Sequence, residues 1–493
     1  MKIRIAARQS DLARLQAYAV GHALKRAQRG LELEFIFKES LGDKNLTDPL
    51  WKMPERGVFT EDFVFDLLDD KVELVVHSWK DLPTEPRPGL QIGATLERAD
   101  PRDLLLFRKD SVGKRKLTLL TSSPRRTFTA ERELAAFLPF QTKEITTKPV
   151  RGNVVTRLKK LALAEGDGLF MAKAALDRLL TSTDEEESFH ASRTEIRDLL
   201  ENFHFMVLPL SVFPTAPAQG ALAVEISEKR EDLKKMLSLV HHEETAACVE
   251  RERSRFAKFG GGCHQKIGIT AISHPKLGPM DFFHGHPENE EPSRRVHFGK
   301  TKLPVSPGLS IWPEVARPVF KRSLLDRVKN PGDALFVARA DALPEHWKLR
   351  DDQLVWTAGT QTWKGLAKKG VWVNGTSDGL GESIPELKAL VGRPVEWTKL
   401  THEESGNTAQ FRCLATYRLD PLPNIHPPLA HAYFWPSESL FRWALGKRPE
   451  IRSAMHASGP GYTAQAIEKE LGRSIDVYYN YAHWRTGDPY AEA

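Results

Sequence analysis

The sequence predicts an α/β protein of several domains, and three observations support this prediction. Short apolar strands alternate with amphipathic helical segments over the first 213 residues. Three short strands between residues 266 and 298 indicate a small α+β module, and a further α/β pattern begins near Asp333. The chain of 493 residues is longer than one hydrophobic core usually serves, so about three to four domains are expected.

The first α/β set occupies the start of the sequence. Residues 2–7 alternate as a strand, and Ser10 is a suitable N-cap for a helix with leucines and alanines at helical spacing. A strand over residues 34–38, a helix over 60–70 and a buried strand over 73–78 follow. Because strands alternate with helices, this set predicts a parallel sheet.

A second α/β set follows the first. It comprises a strand over residues 117–121, a helix from Pro124, a strand over 143–147, a helix from Asn153 and a strand over 168–172. A turn-rich stretch at 213–220 then leads through a strand and two charged helices to three glycines at 260–262. Four prolines between residues 300 and 318 predict a linker.

The composition limits the possible functions. With 41% hydrophobic and 28% charged residues and no apolar run near the roughly 20 residues that span a bilayer, the chain is expected to be neither membrane-embedded nor secreted, but cytoplasmic. Three cysteines without metal-ligand spacing indicate neither disulfides nor a zinc site. The net charge of +6 could suit nucleic acid, but no basic run is interleaved with aromatic residues. The alternative is that arginines line a site for an acidic small molecule.

Two helix starts carry pairs of arginines. Ser123, Pro124, Arg125 and Arg126 combine a cap, a proline at the first helical position and two cations, and Arg151 and Arg157 flank the start of the next helix. Free backbone N–H groups and guanidinium groups at such a point suit carboxylates. Either motif alone is more often a solvated helix start. Two in one domain favour a polycarboxylate ligand.

Two further residues are candidates for chemistry. Asp81 follows an apolar strand, at the crevice where open α/β sheets bind ligands, and its carboxylate could guide protons or stabilise a cation. The alternative is a turn aspartate. Cys263 follows three glycines in a loop that could present a nucleophilic thiol, or it is a small buried residue, which is the interpretation for Cys248 in a helical run.

Seven short motifs occur in one order along the first 263 residues. They are Ala7-Arg8-Gln9-Ser10, His77-Ser78-Trp79-Lys80-Asp81-Leu82-Pro83, Asp100-Pro101-Arg102-Asp103, Thr121-Ser122-Ser123-Pro124-Arg125-Arg126, Arg151-Gly152-Asn153, Ala218-Gln219-Gly220-Ala221 and Gly261-Gly262-Cys263. In this order and spacing, the sequence resembles hydroxymethylbilane synthases, also called porphobilinogen deaminases, over about residues 1–310.

The resemblance implies two lobes like those of periplasmic binding proteins and a small α+β domain that carries the cofactor cysteine. The cofactor is a dipyrromethane joined by a thioether to a loop cysteine, which here is Cys263. The implied enzyme is a transferase of haem biosynthesis that joins four porphobilinogen molecules head to tail, releases ammonia at each step and frees hydroxymethylbilane by hydrolysis. Its implied partner is this small-molecule substrate alone, without nucleic acid or membrane, and the chain is expected to be a monomer.

The resemblance also assigns roles to residues. Asp81, with Lys80 and Arg8, matches the catalytic group, in which the carboxylate stabilises the azafulvene cation left by deamination. The substrate-binding matches are Arg8, Ser10, Phe59, Arg125, Arg126, Arg151, Arg157, Arg178 and Gln219. The cofactor-binding matches are Cys263, Asp81, Lys80, Ser122, Ser123, Arg125 and Arg126. Many fixed cations fit a product that gains two carboxylates with each unit.

The sequence departs from the family pattern near Phe59. A glycine-rich loop with a lysine is usual there, whereas this chain has Met53-Pro54-Glu55-Arg56-Gly57-Val58-Phe59, which proline stiffens. Leu120 and Pro124 replace a common glycine and a common leucine beside the arginine pair. Because the charges are kept, activity is expected.

The C-terminal third is similar to uroporphyrinogen-III synthase, the next enzyme of the pathway. The supporting segments are residues 336–340, 356–363 and 458–464, and Tyr417, Ser437 and Thr463 are the candidate residues. About 160 residues suit one full α/β domain or a shortened pair. This part either closes the bilane to uroporphyrinogen III or is an inactive structural or docking module.

These interpretations give predicted domain boundaries. Residues 1–101 and 214–240 form the first deaminase domain, 102–213 the second and 241–303 the third, followed by a linker over 304–332 and the synthase-like domain over 333–493. A solute receptor is the alternative from another class, since two lobes with arginines facing a cleft also describe one. The absence of a signal peptide and the cysteine of the third domain favour the enzyme.

Overall fold

The computed structural model describes most of the chain. The described residues are 2–39, 63–184, 186–262, 264–288, 290–300, 302, 304–314, 318–326, 328–405 and 410–491. Phe59, Cys263 and the first part of the helix predicted over 60–70 lie outside them.

The first sheet has five strands. They are β1 (Lys2–Arg8), β2 (Glu32–Lys38), β3 (Leu74–Ser78), β4 (Leu90–Ala94) and a strand at Leu222–Ser227, with helices α1 (Asp11–Ala27) and α2 (Val64–Leu68) beside them. In the order β2-β1-β3-(222–227)-β4, the first three strands are parallel, but the strand at 222–227 is antiparallel to both neighbours. The strands predicted in this part are parallel, as expected, but the whole sheet is mixed, because the strand at 222–227 comes back from the second lobe and enters the sheet from the opposite end.

The second sheet is also mixed. Its strands are β5 (Asp103–Arg108), β6 (Lys116–Leu120), β7 (Glu144–Lys148), β8 (Gly168–Ala172) and β9 (Phe203–Val207), and its helices are α3 (Pro124–Glu133), α4 (Val154–Ala162), α5 (Lys173–Thr181) and α6 (Glu187–Leu200). The order is β7-β6-β8-β5-β9, with β5 antiparallel to both neighbours. Ser123 and Asn153 cap α3 and α4, as the side-chain oxygens of such residues commonly do.

A small antiparallel sheet follows the second crossing between the lobes. The strand at Leu222–Ser227 is β10, and helices α7 (Glu231–Leu237) and α8 (Glu243–Ala257) lead to β11 (Lys266–His274), β12 (Gly278–His286) and β13 (Ser293–Phe298). Cys248 lies buried in α8, which confirms the interpretation of this cysteine as a structural residue.

The C-terminal part contains two sheets. Six strands, β15 (Phe320–Leu324), β16 (Ala334–Val337), β17 (Leu354–Thr357), β18 (Gly375–Thr376), β19 (Trp397–His402) and β20 (Arg412–Pro421), form one, with α9 (Thr360–Lys368) and α10 (Lys388–Val391). Four parallel strands, β14 (Ile311–Trp312), β21 (Ala432–Trp435), β22 (Met455–Ser458) and β23 (Asp476–Val477), form the other, with α11 (Glu438–Lys447), α12 (Tyr462–Leu471) and α13 (Tyr481–Thr486).

The chain crosses between these two sheets twice. It passes from β14 to β15 and returns from β20 to β21. The segment predicted as a linker over 304–332 therefore contributes one strand to each sheet. Local proline content does not reveal this pairing, because the partners lie about a hundred residues further along the chain.

The part of the chain up to residue 300, here called the N-terminal half, packs tightly on residues 304–491, the C-terminal half. Buried side chains of the second sheet, such as Leu106, share a core with Phe336 and Trp356 of the six-stranded sheet. The indole N–H of Trp363 donates to the Phe137 carbonyl at 3.0 Å, and the rings of these residues meet edge to face. A backbone bond of 2.8 Å from Val207 N–H to the Asn374 carbonyl joins the two sheets.

Candidate functional site

The turn after β3 presents two of the predicted catalytic residues. Residues 79–81 form one 3₁₀ turn. The buried Trp79 holds this turn in place, because its backbone N–H donates to the Ala221 carbonyl at 3.1 Å. Lys80 and Asp81 are exposed at this end of the first sheet. Surrounding protein still desolvates Lys80 and lowers the pKa of its ammonium group, an effect that Asp81 opposes.

Four of the predicted arginines are brought together with this turn. The pKa of Arg157 is lowered to about 10, chiefly by burial and also by the nearby charges of Arg126, Arg151 and Arg8, whereas the Asp81 carboxylate raises it. Arg126 and Arg157 also lower the pKa of Lys80. We call this group of mutually interacting charges the arginine cluster: Arg8, Arg126, Arg151 and Arg157, with Lys80 and Asp81 beside them.

A buried carboxylate supports the arginine pair of α3. Asp103, only 1% exposed, lies 2.9 Å from a guanidinium nitrogen of Arg125 and 2.7 Å from one of Arg126. Burial alone would raise the pKa of this carboxyl, but the two guanidinium groups hold it well below its ordinary value. The motif containing Asp103 was part of the family resemblance, yet the sequence assigned the residue no role.

Arg125 differs from Arg126 in its surroundings. It is 4% exposed and donates to the Pro214 carbonyl at 2.9 Å in addition to its pairing with Asp103. The structure thus places Arg125 against the chain that returns to the first lobe, whereas Arg126 belongs to the arginine cluster.

The remaining predicted residues mostly bind backbone groups. The Gln219 amide donates to the Pro101 carbonyl at 2.7 Å and to Asp103 at 2.9 Å, and Arg178 donates to the Gly220 carbonyl at 2.7 Å. The Ser122 hydroxyl donates to the Val150 carbonyl at 2.7 Å, and Ser123 accepts from the Arg126 N–H. Ser10 precedes α1 without a side-chain capping bond. These contacts tie together the strand ends around the arginine cluster.

The glycine loop before the predicted cofactor cysteine lies beside the Asp81 turn. A Cβ placed on Gly261 would stand 2.8 Å from the Thr84 hydroxyl, three residues after Asp81. Arg253 of α8 donates to the Leu82 carbonyl at 3.1 Å and to the Pro83 carbonyl. Helix α8 and the glycine loop thus contact the same turn, and burial lowers the pKa of Arg253 to about 10.

A second polar cluster lies in the C-terminal half, on β15, on β20 and just after β16. Arg322 and Arg339 both approach Asp341, at 3.4 and 3.6 Å, and both lie near the buried Tyr417. Burial lowers the pKa of Arg339, and Arg322 lowers it further. Within the described part of the chain, the buried Nε of Arg322 has no hydrogen-bond partner.

Contacts between the two C-terminal sheets lie near this cluster. His402, at the end of β19, is 2.9 Å from the Ser439 hydroxyl of α11, and Gly381 and Gly461 approach each other through their backbones. Ser437 caps α11, and Thr463 lies in the first turn of α12. Tyr417 is thus near the cationic side chains, while Ser437 acts as a helix cap.

Two classes of feature are missing from the described residues. They contain no group of three or more His, Cys, Asp or Glu side chains arranged to hold a metal ion. None of the helices described is both long and apolar enough to cross a membrane.

Solved structures give only weak likenesses. A putative sulfonate-binding protein of an ABC transporter from Methylobacillus flagellatus matches at a TM-score of 0.27 and 11% identity, covering 52% of this chain and 69% of the other. A pyroglutamate-specific TRAP solute-binding protein from a marine metagenome matches at a TM-score of 0.25 and 12% identity, covering 52% of this chain and 82% of the other. Both TM-scores are too low to define the fold, which the sheets themselves establish as α/β.

Sequence comparison is decisive for the N-terminal half. Residues 3–235 match the family model for the dipyrromethane cofactor-binding domain of porphobilinogen deaminase. A probable porphobilinogen deaminase of Saccharolobus islandicus is 35% identical over 273 residues, 55% of this chain and 82% of that protein. That of Sulfurisphaera tokodaii is 30% identical over 334 residues, 67% of this chain and 99% of that protein. The chain therefore belongs to the porphobilinogen deaminase family.

Proposed function

We propose that the N-terminal half works as a hydroxymethylbilane synthase, joining four porphobilinogen molecules with release of ammonia. One observation carries the proposal: the charges of Arg8, Arg126 and Arg151 act on Arg157, those of Arg126 and Arg157 act on Lys80, and the Asp81 carboxylate opposes both effects. Burial is the largest cause of the lowered pKa of Arg157, and the neighbouring arginines lower it as well. A ligand with several carboxylates matches this group of cations.

The residues present fit the family's dipyrromethane cofactor. Its carboxylates suit Arg8, Arg126, Arg151 and Arg157, and the glycine loop that precedes Cys263 lies beside the Asp81 turn. When bound, the cofactor supplies the pyrrole carbon to which the first substrate is added. We propose Cys263 as its attachment point.

The protein's own side chains have separate roles in the remaining steps. The arginine cluster binds and orients the acetate and propionate groups of the incoming pyrrole. The Asp81 carboxylate faces the site where ammonia leaves, where it stabilises positive charge and accepts the pyrrole N–H as a hydrogen bond. Asp103 keeps the guanidinium groups of Arg125 and Arg126 in place.

Replacement of Asp81 tests this assignment. Asp81→Ala is expected to keep the cofactor, visible as a dipyrrole adduct in the intact mass, and to lose roughly 10² or more in turnover. Asp69→Ala, which removes an exposed carboxylate paired with Lys71, is the matched control and should keep normal turnover. Normal formation of hydroxymethylbilane by Asp81→Ala would refute the role, and a Cys263→Ser variant that still carries the adduct would refute the attachment point.

We further propose that the C-terminal half closes hydroxymethylbilane to uroporphyrinogen III. Two sheets joined by two crossings, with Arg322 and Arg339 near Tyr417 at their boundary, suit a substrate that carries many carboxylates. A structural module is the second candidate function, which the shared core with the N-terminal half favours.

The isomer of the product separates these two roles. Without enzymatic closure, the bilane cyclises to the symmetric type I ring, so an active C-terminal half should yield type III from porphobilinogen. The double variant Arg322→Ala with Arg339→Ala is expected to shift the product towards type I, while Arg350→Ala, which removes an exposed arginine, should not. If the unmodified chain yields only type I, the ring-closing role is wrong and the structural role stands.

The domain boundaries are part of the proposal. Each proposed unit of the N-terminal half contains one sheet: residues 1–101 with 214–240, residues 102–213 and residues 241–303. Limited proteolysis tests these boundaries, since cleavage should fall between the sheets rather than within them.

A further inference from the structure

A cavity lies at the junction between the two halves, away from both clusters described above. Its volume is about 500 Å³, within the range of pockets that enclose small ligands. Strand β9 and the ends of β5 and α6 form one wall, and the segments around Trp347 and Trp372 form the other. Neither proposed activity uses it.

The aromatic side chains of the cavity are held in place. The Trp372 indole N–H donates to the Phe205 carbonyl at 3.0 Å, and that of Trp347 donates to the Val328 carbonyl at 2.9 Å. The His204 ring stacks on Trp372 with ring centroids 4.6 Å apart. Fixed aromatic rings of this kind bind a flat ring by stacking, with little loss of side-chain freedom.

Two opposite charges are available at the cavity. Arg350 is paired with Asp352 at 2.8 Å, and Lys369 lies 3.5 Å from Glu345. By contrast, Lys109 and Asp351, which also line the cavity, form no ion pair within the described residues. Both act electrostatically on His204, Lys109 by lowering the pKa of its imidazole and Asp351 by raising it. Burial lowers the pKa of this imidazole, which leaves it neutral at pH 7.

We propose that this cavity is a binding site for a planar aromatic compound that carries both an ammonium group and a carboxylate. The ring stacks beside Trp372 and His204, the carboxylate lies at Lys109 and the ammonium group lies at Asp351. Because its walls belong to both halves, a bound ligand holds the halves together and stabilises the whole chain.

A matched set of probes tests the chemistry. In ligand-observed NMR titrations of the full cofactor-loaded chain, 3- and 4-(aminomethyl)benzoate are the probes. Benzoate lacks the ammonium group, benzylamine lacks the carboxylate, and trans-4-(aminomethyl)cyclohexanecarboxylate has both charges without a flat ring. At least one aminomethylbenzoate should bind most tightly and raise the unfolding temperature. Equal binding of the cyclohexane compound would overturn the stacking role.

Variants of cavity residues test where the probe binds. Lys109→Ala and Asp351→Asn change exposed residues, so both variants should fold, and each should weaken the probe about threefold to fivefold. Lys116→Ala removes another exposed lysine of the second sheet and should leave the affinity unchanged. The proposal is wrong if no probe binds saturably, or if Lys109→Ala and Asp351→Asn bind it as Lys116→Ala does, because the probe then lies elsewhere.

Discussion

At the scale of single residues, the arginine pair of α3 depends on the almost fully buried carboxylate of Asp103. Asp103 pairs with Arg125 and Arg126 and also accepts from the Gln219 amide. Arg125 and Arg126 belong to the start of α3 and Gln219 to the chain that returns from the second lobe, so one carboxylate links these two segments. A buried charge so fully paired is costly to break.

Replacing this carboxylate should therefore affect both stability and cofactor binding. Asp103→Asn leaves the buried Arg125 without its counter-charge, and a loss of about 3–5 kcal/mol in the free energy of unfolding is expected, measured by urea denaturation at pH 7. Cofactor loading should fall, because Arg126 is no longer fixed. The control Asp110→Asn alters an exposed pair with Arg108 and should change stability by less than about 1 kcal/mol.

The loss in free energy of unfolding caused by Asp103→Asn should also depend on pH. The pKa of Asp103 is lower in the folded than in the unfolded chain, so its contribution is complete above the unfolded value of about 3.9 and is lost as the pH falls towards the folded value. The difference between the two proteins should stay constant from pH 8 to pH 5 and shrink below about pH 4. A difference that disappears between pH 8 and pH 6 would point to another titrating group.

At the scale of secondary-structure elements, the glycine turn of the third domain contains a matched pair of positions. Gly260 and Gly261 both have left-handed backbone angles, with φ of +83° and +66°. A Cβ on Gly260 meets nothing within 4 Å, whereas one on Gly261 meets the Thr84 hydroxyl at 2.8 Å. The two positions therefore share the backbone cost of a side chain but differ in the contact with the Asp81 turn.

Alanine at the two positions separates these effects. Both variants should lose about 1–2 kcal/mol of stability, because alanine disfavours left-handed angles. Only Gly261→Ala should push the loop away from Thr84, and it should slow cofactor loading and turnover, as followed by intact mass and hydroxymethylbilane formation. Equal activity of the two variants would show that this contact does not position the cofactor loop.

Local pattern predicted many elements but not their long-range pairing. The strand expected over residues 168–172 is β8, with the same bounds, and the strands and helix starts around Arg126 and Arg157 follow their predicted order. The antiparallel placement of β10 and the strands within residues 304–332 were missed. Alternation and capping act within a few residues, whereas these pairings join segments about a hundred residues apart or more.

In the candidate site, too, local sequence patterns were informative and long-range contacts could not be predicted. Motif order identified the residues of the arginine cluster, because the chemistry of a polycarboxylate requires those residue types. It did not show that Arg125 contacts the returning chain whereas Arg126 acts on Arg157, nor did it assign a role to Asp103. Arg125 contacts the chain that returns from the second lobe at Pro214, and no local sequence pattern indicates that contact.

At the scale of the whole molecule, the C-terminal half contacts two domains of the N-terminal half. The buried Asp378 accepts from the Ser211 N–H at 2.8 Å, and Arg102 donates to the Thr376 carbonyl. On the third sheet, the rings of Phe298 and His483 stack 4.1 Å apart. The C-terminal half thereby fixes the second and third sheets relative to each other, and with them the arginine cluster and the cofactor loop.

Removing this half should therefore damage the deaminase, although every residue matched to its chemistry precedes it. A chain ending at Lys300 exposes the core around Phe137 and Leu106, and each large apolar side chain returned to water costs about 1.5–3 kcal/mol. We expect this fragment to aggregate or to unfold at a lower temperature than the full chain, as size-exclusion chromatography and thermal unfolding would show. As a control, a full chain cleaved at a protease site inserted near residue 301 should keep both pieces associated and its deaminase activity, because the contacts survive the cut. A soluble fragment with the unfolding temperature and turnover of the full chain would show that the two halves are independent units, and that the shared core contributes little to the stability of the deaminase.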